Sequence, residues 1–428
     1  MDIKEISNDL LGETYYEIRH ASGLKILVLP KEDYKTTYAL FGTKFGSADN
    51  CFVLPDGRQF RLPDGTAHFL EHKLFESEEK DAFEKFAQTG ARANAYTSFD
   101  RTCYLFSCSE NVYENLESLL DFVSEPYFTE ATVQKEQGII GQEIKMYCDN
   151  PGWQAMMGLF EALYHRCAVN TDIAGSVESI ATITPELLYA AYEGFYVPSN
   201  MVLCVCGHVE VEKIAAICDA HIRFADRLPA TLQLPEEPLQ VKEKRVVCTM
   251  PVTMPMFAFG YKEQSNGLKS LKERIETIIL NQIIIGTMSP LYEALLEEGL
   301  IGEDFSSEYF TGRNYAAILF TGASENGELI QQRFEAEVER VRREGIDRAL
   351  FDCVMKDMYG TMIKSFNAVE DIASEMMESE IGGYGFFEEL ALYQSLTVED
   401  IEKRLQTKYN TEYAAISLIV PQEAEAKG

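Results

Sequence analysis

Basic residues are in short supply. The 428-residue chain carries 38 Lys and Arg against 69 Asp and Glu, a formal charge of −31 at pH 7. Phosphate binding needs a basic face, so nucleic acid is not an expected partner. The deficit is not an acidic tail. Residues 1–214 hold 17 basic and 33 acidic side chains, and residues 215–428 hold 21 and 36. Spread this evenly, the charge fits first a self-repelling, soluble surface, and second a long-range steering of cationic substrates.

Long apolar runs are missing too. None approaches the roughly 18 residues that span a bilayer, so no membrane segment is expected. The first nine residues, Met1-Asp-Ile-Lys-Glu-Ile-Ser-Asn-Asp9, are acidic and polar, unlike a signal peptide or an Arg-rich transit peptide. The ten cysteines form no C-x-x-C pair. Most lie in apolar stretches such as Met201-Val-Leu-Cys-Val-Cys206, where Cys packs as a small hydrophobe. A cytoplasmic location with free thiols is the expectation.

What is present reads as a globular α+β protein. Apolar residues make up 46% and charged residues 25% of the chain, and the length predicts two domains of roughly 200 residues each. Short β-rich runs at 24–30 and 37–42 open the chain, and 94–106 reads as a further strand. Helical patterns fall at 66–77, 79–88, 110–123 and 130–147. Arg227–Leu239 holds three prolines without a clear period and reads as an extended linker. After it the pattern restarts, with strands at 245–249 and 256–261 and helices at 268–284 and 289–299. The expected division is therefore a domain over 1–225, a linker over 226–244 and a domain over 245–428.

A weak repeat relates the halves. Ile183-Thr-Pro-Glu-Leu-Leu188, Tyr196 and the run from Met201 match Leu396-Thr-Val-Glu-Asp-Ile401, Tyr409 and the run from Ala414, always 213 residues apart. Each copy reads as a Thr-capped helix leading into a buried strand. Two related domains follow, each an antiparallel or mixed sheet packed with helices.

Only six histidines occur, and two of them stand in His68-Phe-Leu-Glu-His72. Asp64-Gly-Thr66 offers capping residues for a helix there. On that helix positions 68, 71 and 72 share one face, while Leu70 and Leu74 share another and can anchor it. Two imidazoles at i and i+4 can fill two tetrahedral positions around zinc. The glutamate between them points into the same space and is free to serve as a base towards a metal-bound water. The order is H-x-x-E-H, the inverse of H-E-x-x-H. A catalytic site needs a third protein ligand. Glu136 and Glu143, seven apart on a predicted helix, are candidates, one as ligand and one orienting a ligand from behind. Taken alone, that spacing also fits a solvated helix face.

These residues resemble the pitrilysin/insulinase-type inverzincin metallopeptidases. The resemblance lies in Gly65-Thr-Ala-His-Phe-Leu-Glu-His72 with Leu74-Phe75, in Asn94-Ala-Tyr-Thr-Ser98 with Thr102-Cys-Tyr104, and in Glu136 and Glu143. It covers the first half in detail and the second as a degenerate repeat. It implies one Zn2+ per chain held by His68, His72 and Glu143, with Glu71 as general base and Glu136 as an acid supporting the ligands. It also implies that Asn94 and Ala95 lie on an edge strand to which an extended peptide adds. The implied activity is hydrolysis of peptides or unfolded segments inside a closed chamber. Members of this length are similar to half of a clam-like assembly, so a homo- or heterodimer is the implied partner state. In the family a second domain supplies an Arg and a Tyr seven apart. Here those positions fall on Leu295 and Gly302, which cannot donate through their side chains. Either a partner chain supplies the donors, or other residues stabilise the oxyanion, or activity is low; the alternative reading is a peptide-binding or assembly subunit with little hydrolytic activity.

Overall fold

The computed structural model describes residues 2–78 and 82–422. The start of the helix expected from Glu79 lies outside the described residues. Fifteen strands occur among the described residues. They are β1 (Asp2–Asn8), β2 (Glu13–Arg19), β3 (Lys25–Pro30), β4 (Thr37–Thr43), β5 (Cys51–Val53), β6 (Gln59–Arg61), β7 (Arg92–Thr97), β8 (Thr102–Cys108), β9 (Met201–Gly207), β10 (Thr231–Leu232), β11 (Arg245–Met250), β12 (Met256–Lys262), β13 (Ser306–Thr311), β14 (Ala316–Ala323) and β15 (Ala414–Pro421). The first five helices are α1 (Thr66–Leu74), α2 (Ala82–Thr89), α3 (Val112–Ser124), α4 (Glu130–Cys148) and α5 (Pro151–Leu163). No single helix among the described residues is long and apolar enough to cross a membrane.

The chain forms two compact units, and neither is a contiguous stretch. The first comprises Met1–Ile144, Asp172–Leu234 and Met362–Phe387. The second comprises Lys145–Thr171, Pro235–Thr361 and Glu388–Gly428. The expected boundaries at 225 and 245 are therefore redrawn: α5 joins the second unit and the helix Val369–Gly382 joins the first.

The first unit is built on a seven-stranded sheet in the order β1-β2-β3-β9-β4-β8-β7. Its pairs are antiparallel except β3 with β9. The central strands β4 and β9 are buried at every residue and read as continuous apolar runs, as strands covered on both faces do. In β7 exposed and half-buried residues alternate, as suits its place at the edge. The run expected as one strand over 94–106 is instead a hairpin, with β7 and β8 joined through Ser98–Arg101. Leu27, Leu29, Leu40, Cys103, Cys204 and Cys206 pack against Ile372, Ala373, Met376 and Met377 of the returning helix. All ten cysteines are free.

The second unit has a five-stranded sheet in the order β11-β15-β12-β14-β13, parallel only at β11 with β15. Order and directions repeat those of β3-β9-β4-β8-β7. The 213-residue spacing holds at single residues: β9 starts at Met201 and β15 at Ala414. Thr184 and Thr397 each cap the N-terminus of the helix that follows, accepting from Leu187 N–H at 3.4 Å and from Asp400 N–H at 3.3 Å. α5 lies against β12 and β15, burying Ala155, Leu159, Phe160 and Leu163.

The proline-rich stretch is extended but pinned. In the first unit Thr231 and Leu232 pair with Val53 and Phe52. In the second, the Glu237 carboxylate accepts the backbone N–H groups of His165 (2.9 Å), Arg166 (2.8 Å) and Cys167 (2.8 Å). Lys262 Nζ donates to the same carboxylate at 2.6 Å. It also donates to the carbonyls of Leu163 (2.7 Å) and Gln240 (3.3 Å).

Candidate metal centre

α1 enters through Gly65, which has φ +90°. A Cβ there would meet the Ala174 carbonyl oxygen at 2.4 Å, so both the left-handed backbone and the close approach call for glycine. The expected side-chain cap from Asp64 or Thr66 is absent: Gly65 is the N-cap residue and makes no side-chain bond. Those side chains serve elsewhere. Thr66 donates its hydroxyl to the Pro63 carbonyl (2.6 Å), and Asp64 accepts from Asn50 Nδ2 (3.0 Å). Phe69, Leu70 and Leu74 are buried and fix the helix against the core. The helix ends at Leu74, three residues short of the expected Ser77.

α4 covers both expected carboxylates. Glu143 Oε1 lies 3.6 Å from His68 Nε2, and Glu143 Oε2 lies 3.5 Å from His72 Nε2. One donor atom from each of His68, His72 and Glu143 falls within 4.8 Å of the others, a group that could hold a metal ion. Ligand atoms about 2.0–2.2 Å from a common ion at tetrahedral angles stand about 3.3–3.6 Å apart. The two N···O separations, one to each oxygen of the Glu143 carboxylate, fall in that range and are long for hydrogen bonds. Glu136 Oε1 accepts from His72 Nδ1–H at 3.1 Å, which fixes the ring and leaves Nε2 towards Glu143. His68 Nδ1 is buried and has no hydrogen-bond partner among the described residues. The donor set of two imidazoles and one carboxylate fits a zinc ion.

The electrostatics differ from group to group. Burial, with His72 nearby, pushes His68 down to about 3, so its imidazole stays neutral and keeps a lone pair. His72 is raised. Burial pulls it down, but the Glu136 hydrogen bond and the charges of Glu71, Glu143 and Glu136 outweigh that. Burial pushes the Glu71 carboxyl up to about 7, opposed by the Thr97 hydrogen bond and by His72. A base works best with a pKa near the working pH.

Glu71, His72, Glu136, Asn94 and Ala95 line one cleft of about 630 Å3 in the first unit. Asn94 and Ala95 sit on β7, which among the described residues pairs only with β8 and stands at the edge of the sheet. Phe75, Phe83 and Ile139 add apolar wall, with the rings of Phe75 and Phe83 stacked at 4.2 Å. Sequence reasoning gave no role to Thr97, whose hydroxyl donates to Glu71 Oε2 at 2.5 Å. Only its place in Asn94–Ser98 hinted at the site. In the second unit Leu295 is fully buried on the helix Pro290–Glu297, and Gly302 follows that helix. Neither position offers a side-chain donor.

Comparison with known proteins adds an independent line. A family model described as insulinase (peptidase family M16) matches residues 62–176. Another, described as peptidase M16 inactive domain, matches residues 182–357. A Bacillus subtilis (strain 168) protein named as an uncharacterized zinc protease, YmfH, is 38% identical over 98% of this chain and 99% of its own. A crystal structure from Alicyclobacillus acidocaldarius, described as an M16-like peptidase, matches with a TM-score of 0.91 at 32% identity over 99% of both chains. Pitrilysin shares the fold, with a TM-score of 0.76 at 16% identity over 99% of this chain and 47% of that one.

Proposed function

The chain belongs to the insulinase (M16) family of peptidases, and from that premise we propose that it is a zinc-dependent endopeptidase acting on peptides or unfolded segments. One observation carries the reading: His68, His72 and Glu143 converge, and His72 with the buried carboxylate Glu71 lines the cleft that borders the β7 strand. His68 Nε2, His72 Nε2 and Glu143 would hold the ion, and Glu136 keeps the His72 ring in place through Nδ1. Bound there, zinc would supply Lewis acidity, polarising the scissile carbonyl and lowering the pKa of water towards about 7.

The protein's own groups do the rest. Along β7 alternate residues turn their backbone N–H and C=O groups away from β8, and at the Asn94–Ala95 stretch an extended peptide adds there as a further strand. Glu71 takes the proton of the attacking water and gives it to the leaving amine. Its buried setting keeps that carboxylate poorly solvated and hence basic. The peptide would be cut inside a closed chamber formed with a second chain, either a copy or a relative. That partner would supply the Arg and Tyr donors that Leu295 and Gly302 lack.

A second reading follows from the same two positions. Without those donors the chain could act as a peptide-binding or assembly subunit with little hydrolysis of its own. Zinc content and cleavage of a quenched peptide library, with Glu71→Gln alongside, separate the two. The peptidase reading expects about one zinc per chain in both proteins, and a loss of roughly 10²–10⁴ in rate for the variant. A wild type without zinc, or equal cleavage by both, refutes it. A zinc-loaded wild type that cleaves only after a partner chain is added supports the chamber.

A further inference from the structure

We propose that Thr97 is a positioning residue for the base, holding Glu71 by Oε2 so that Oε1 is presented to the reaction. The proposal rests on the peptidase reading above. Among the described residues, the Thr97 hydroxyl makes the one hydrogen bond to the Glu71 carboxylate, at 2.5 Å.

The direction of that bond follows from its neighbours. Among the described residues, the other hydrogen-bond partner of Thr97 Oγ1 is Thr102 Oγ1, at 3.4 Å. Thr102 spends its own proton on the Phe45 carbonyl at 2.9 Å. The Thr97 proton therefore goes to Glu71. A glutamate has three side-chain torsions to fix, and one short bond from a stiff donor removes most of that freedom. Threonine is such a donor, because its β-branch restricts χ1.

The donor itself cannot drift. Thr97 is the last residue of β7 and pairs with Thr102 across the hairpin. The turn beyond it is closed by Ser98 N–H to the Arg101 carbonyl at 2.8 Å and by Ser98 Oγ to Asp100 at 3.0 Å. From outside, Ser47 N–H bonds the Ser98 carbonyl (2.9 Å) and Ala48 N–H bonds that of Phe99 (3.0 Å). Gly46 lets the two segments meet, since a Cβ there would come within 2.4 Å of the backbone at Phe99 and Asp100. Thr97 thus joins two functions. The strand that would receive the peptide at Asn94 and Ala95 ends in the group that aims the base. Peptide and base are registered by one rigid hairpin rather than by two independent elements.

Thr97→Val removes the hydroxyl at nearly constant shape, and Thr97→Ser restores it. Each is compared with wild type for zinc content, kcat and KM on a quenched peptide. A misaimed catalytic group costs up to about a hundredfold. The expected result for Thr97→Val is unchanged zinc, KM within about twofold and kcat lowered about 10- to 100-fold, with Thr97→Ser recovering most of the loss. A wild-type kcat in Thr97→Val overturns the proposal. So does a loss carried by KM that Thr97→Ser fails to repair, since that would mark a strand contact only. Crystal structures of wild type and Thr97→Val read the Glu71 side chain directly. A carboxylate in the same place in both overturns the proposal even if the wild type hydrolyses nothing, whereas a displaced one supports it and leaves the fault with the peptidase reading.

Discussion

Glu237→Ala should destabilise the second unit more than any surface substitution could. The Glu237 and Lys262 side chains are 6% and 2% exposed. Removing the carboxylate strands the ammonium in the interior and leaves the N–H groups of His165, Arg166 and Cys167 without their acceptor. Breaking a buried pair by deleting one partner costs about 3–5 kcal/mol. In a unit of this size that is roughly 6–20 °C in the melting temperature. Glu237→Gln keeps an oxygen for the N–H groups and loses only the charge, so its cost should be smaller, about 2 kcal/mol. Acidification gives a further signature. Burial raises the Glu237 carboxyl, but the three N–H bonds and Lys262 hold it below the usual carboxylate range overall. The stability it contributes is therefore complete above about pH 4.5 and lost as pH falls through its lower folded value. For Lys262 burial wins and its pKa is lowered despite the pair. The glutamate is thus the better-compensated partner, because it alone has the backbone donors. Thermal unfolding of the three proteins between pH 3.5 and 7.5 is the assay. A Glu237→Ala penalty under 1 kcal/mol at pH 7, or one that does not shrink below pH 4.5, refutes the reasoning.

Two further outcomes are expected at the metal centre. Glu136→Gln should weaken zinc binding about 10- to 100-fold in a competitive chelator titration, because the bond that fixes the His72 ring is altered; an unchanged affinity would remove Glu136 from that role. Gly65→Ala forces a left-handed alanine against the Ala174 carbonyl and should cost about 3 kcal/mol or more in urea unfolding, with zinc content falling alongside.

The parts of the centre that follow from local periodicity were legible in the sequence. H-x-x-E-H on one helix and E-x6-E on another project their donors whatever else the chain does, and the structure brings His68, His72 and Glu143 together. The 213-residue repeat was legible because a Thr cap and a buried strand recur at fixed spacing. The hairpin at Ser98–Arg101 was not, because that turn contains neither Gly nor Pro to mark it. Nor was the Thr97–Glu71 bond, which joins two ordinary residues 26 positions apart. The α1 cap was misassigned for a related reason: Asp64 and Thr66 have the right chemistry, but tertiary partners claim their side chains. The exchange of α5 and the helix Val369–Gly382 left no local mark either. An apolar helix face states that it must be covered, not which sheet will cover it.

That exchange sets the timing of folding on the ribosome. The sheet face formed by Leu27, Leu29, Leu40 and Cys204 is complete once β9 has emerged, yet its cover is the helix Val369–Gly382. For more than 150 residues of elongation the nascent chain carries an apolar sheet face with nothing of its own to lay on it. The first unit, which holds every residue of the candidate metal centre, therefore cannot complete its packing until residue 382 has been made.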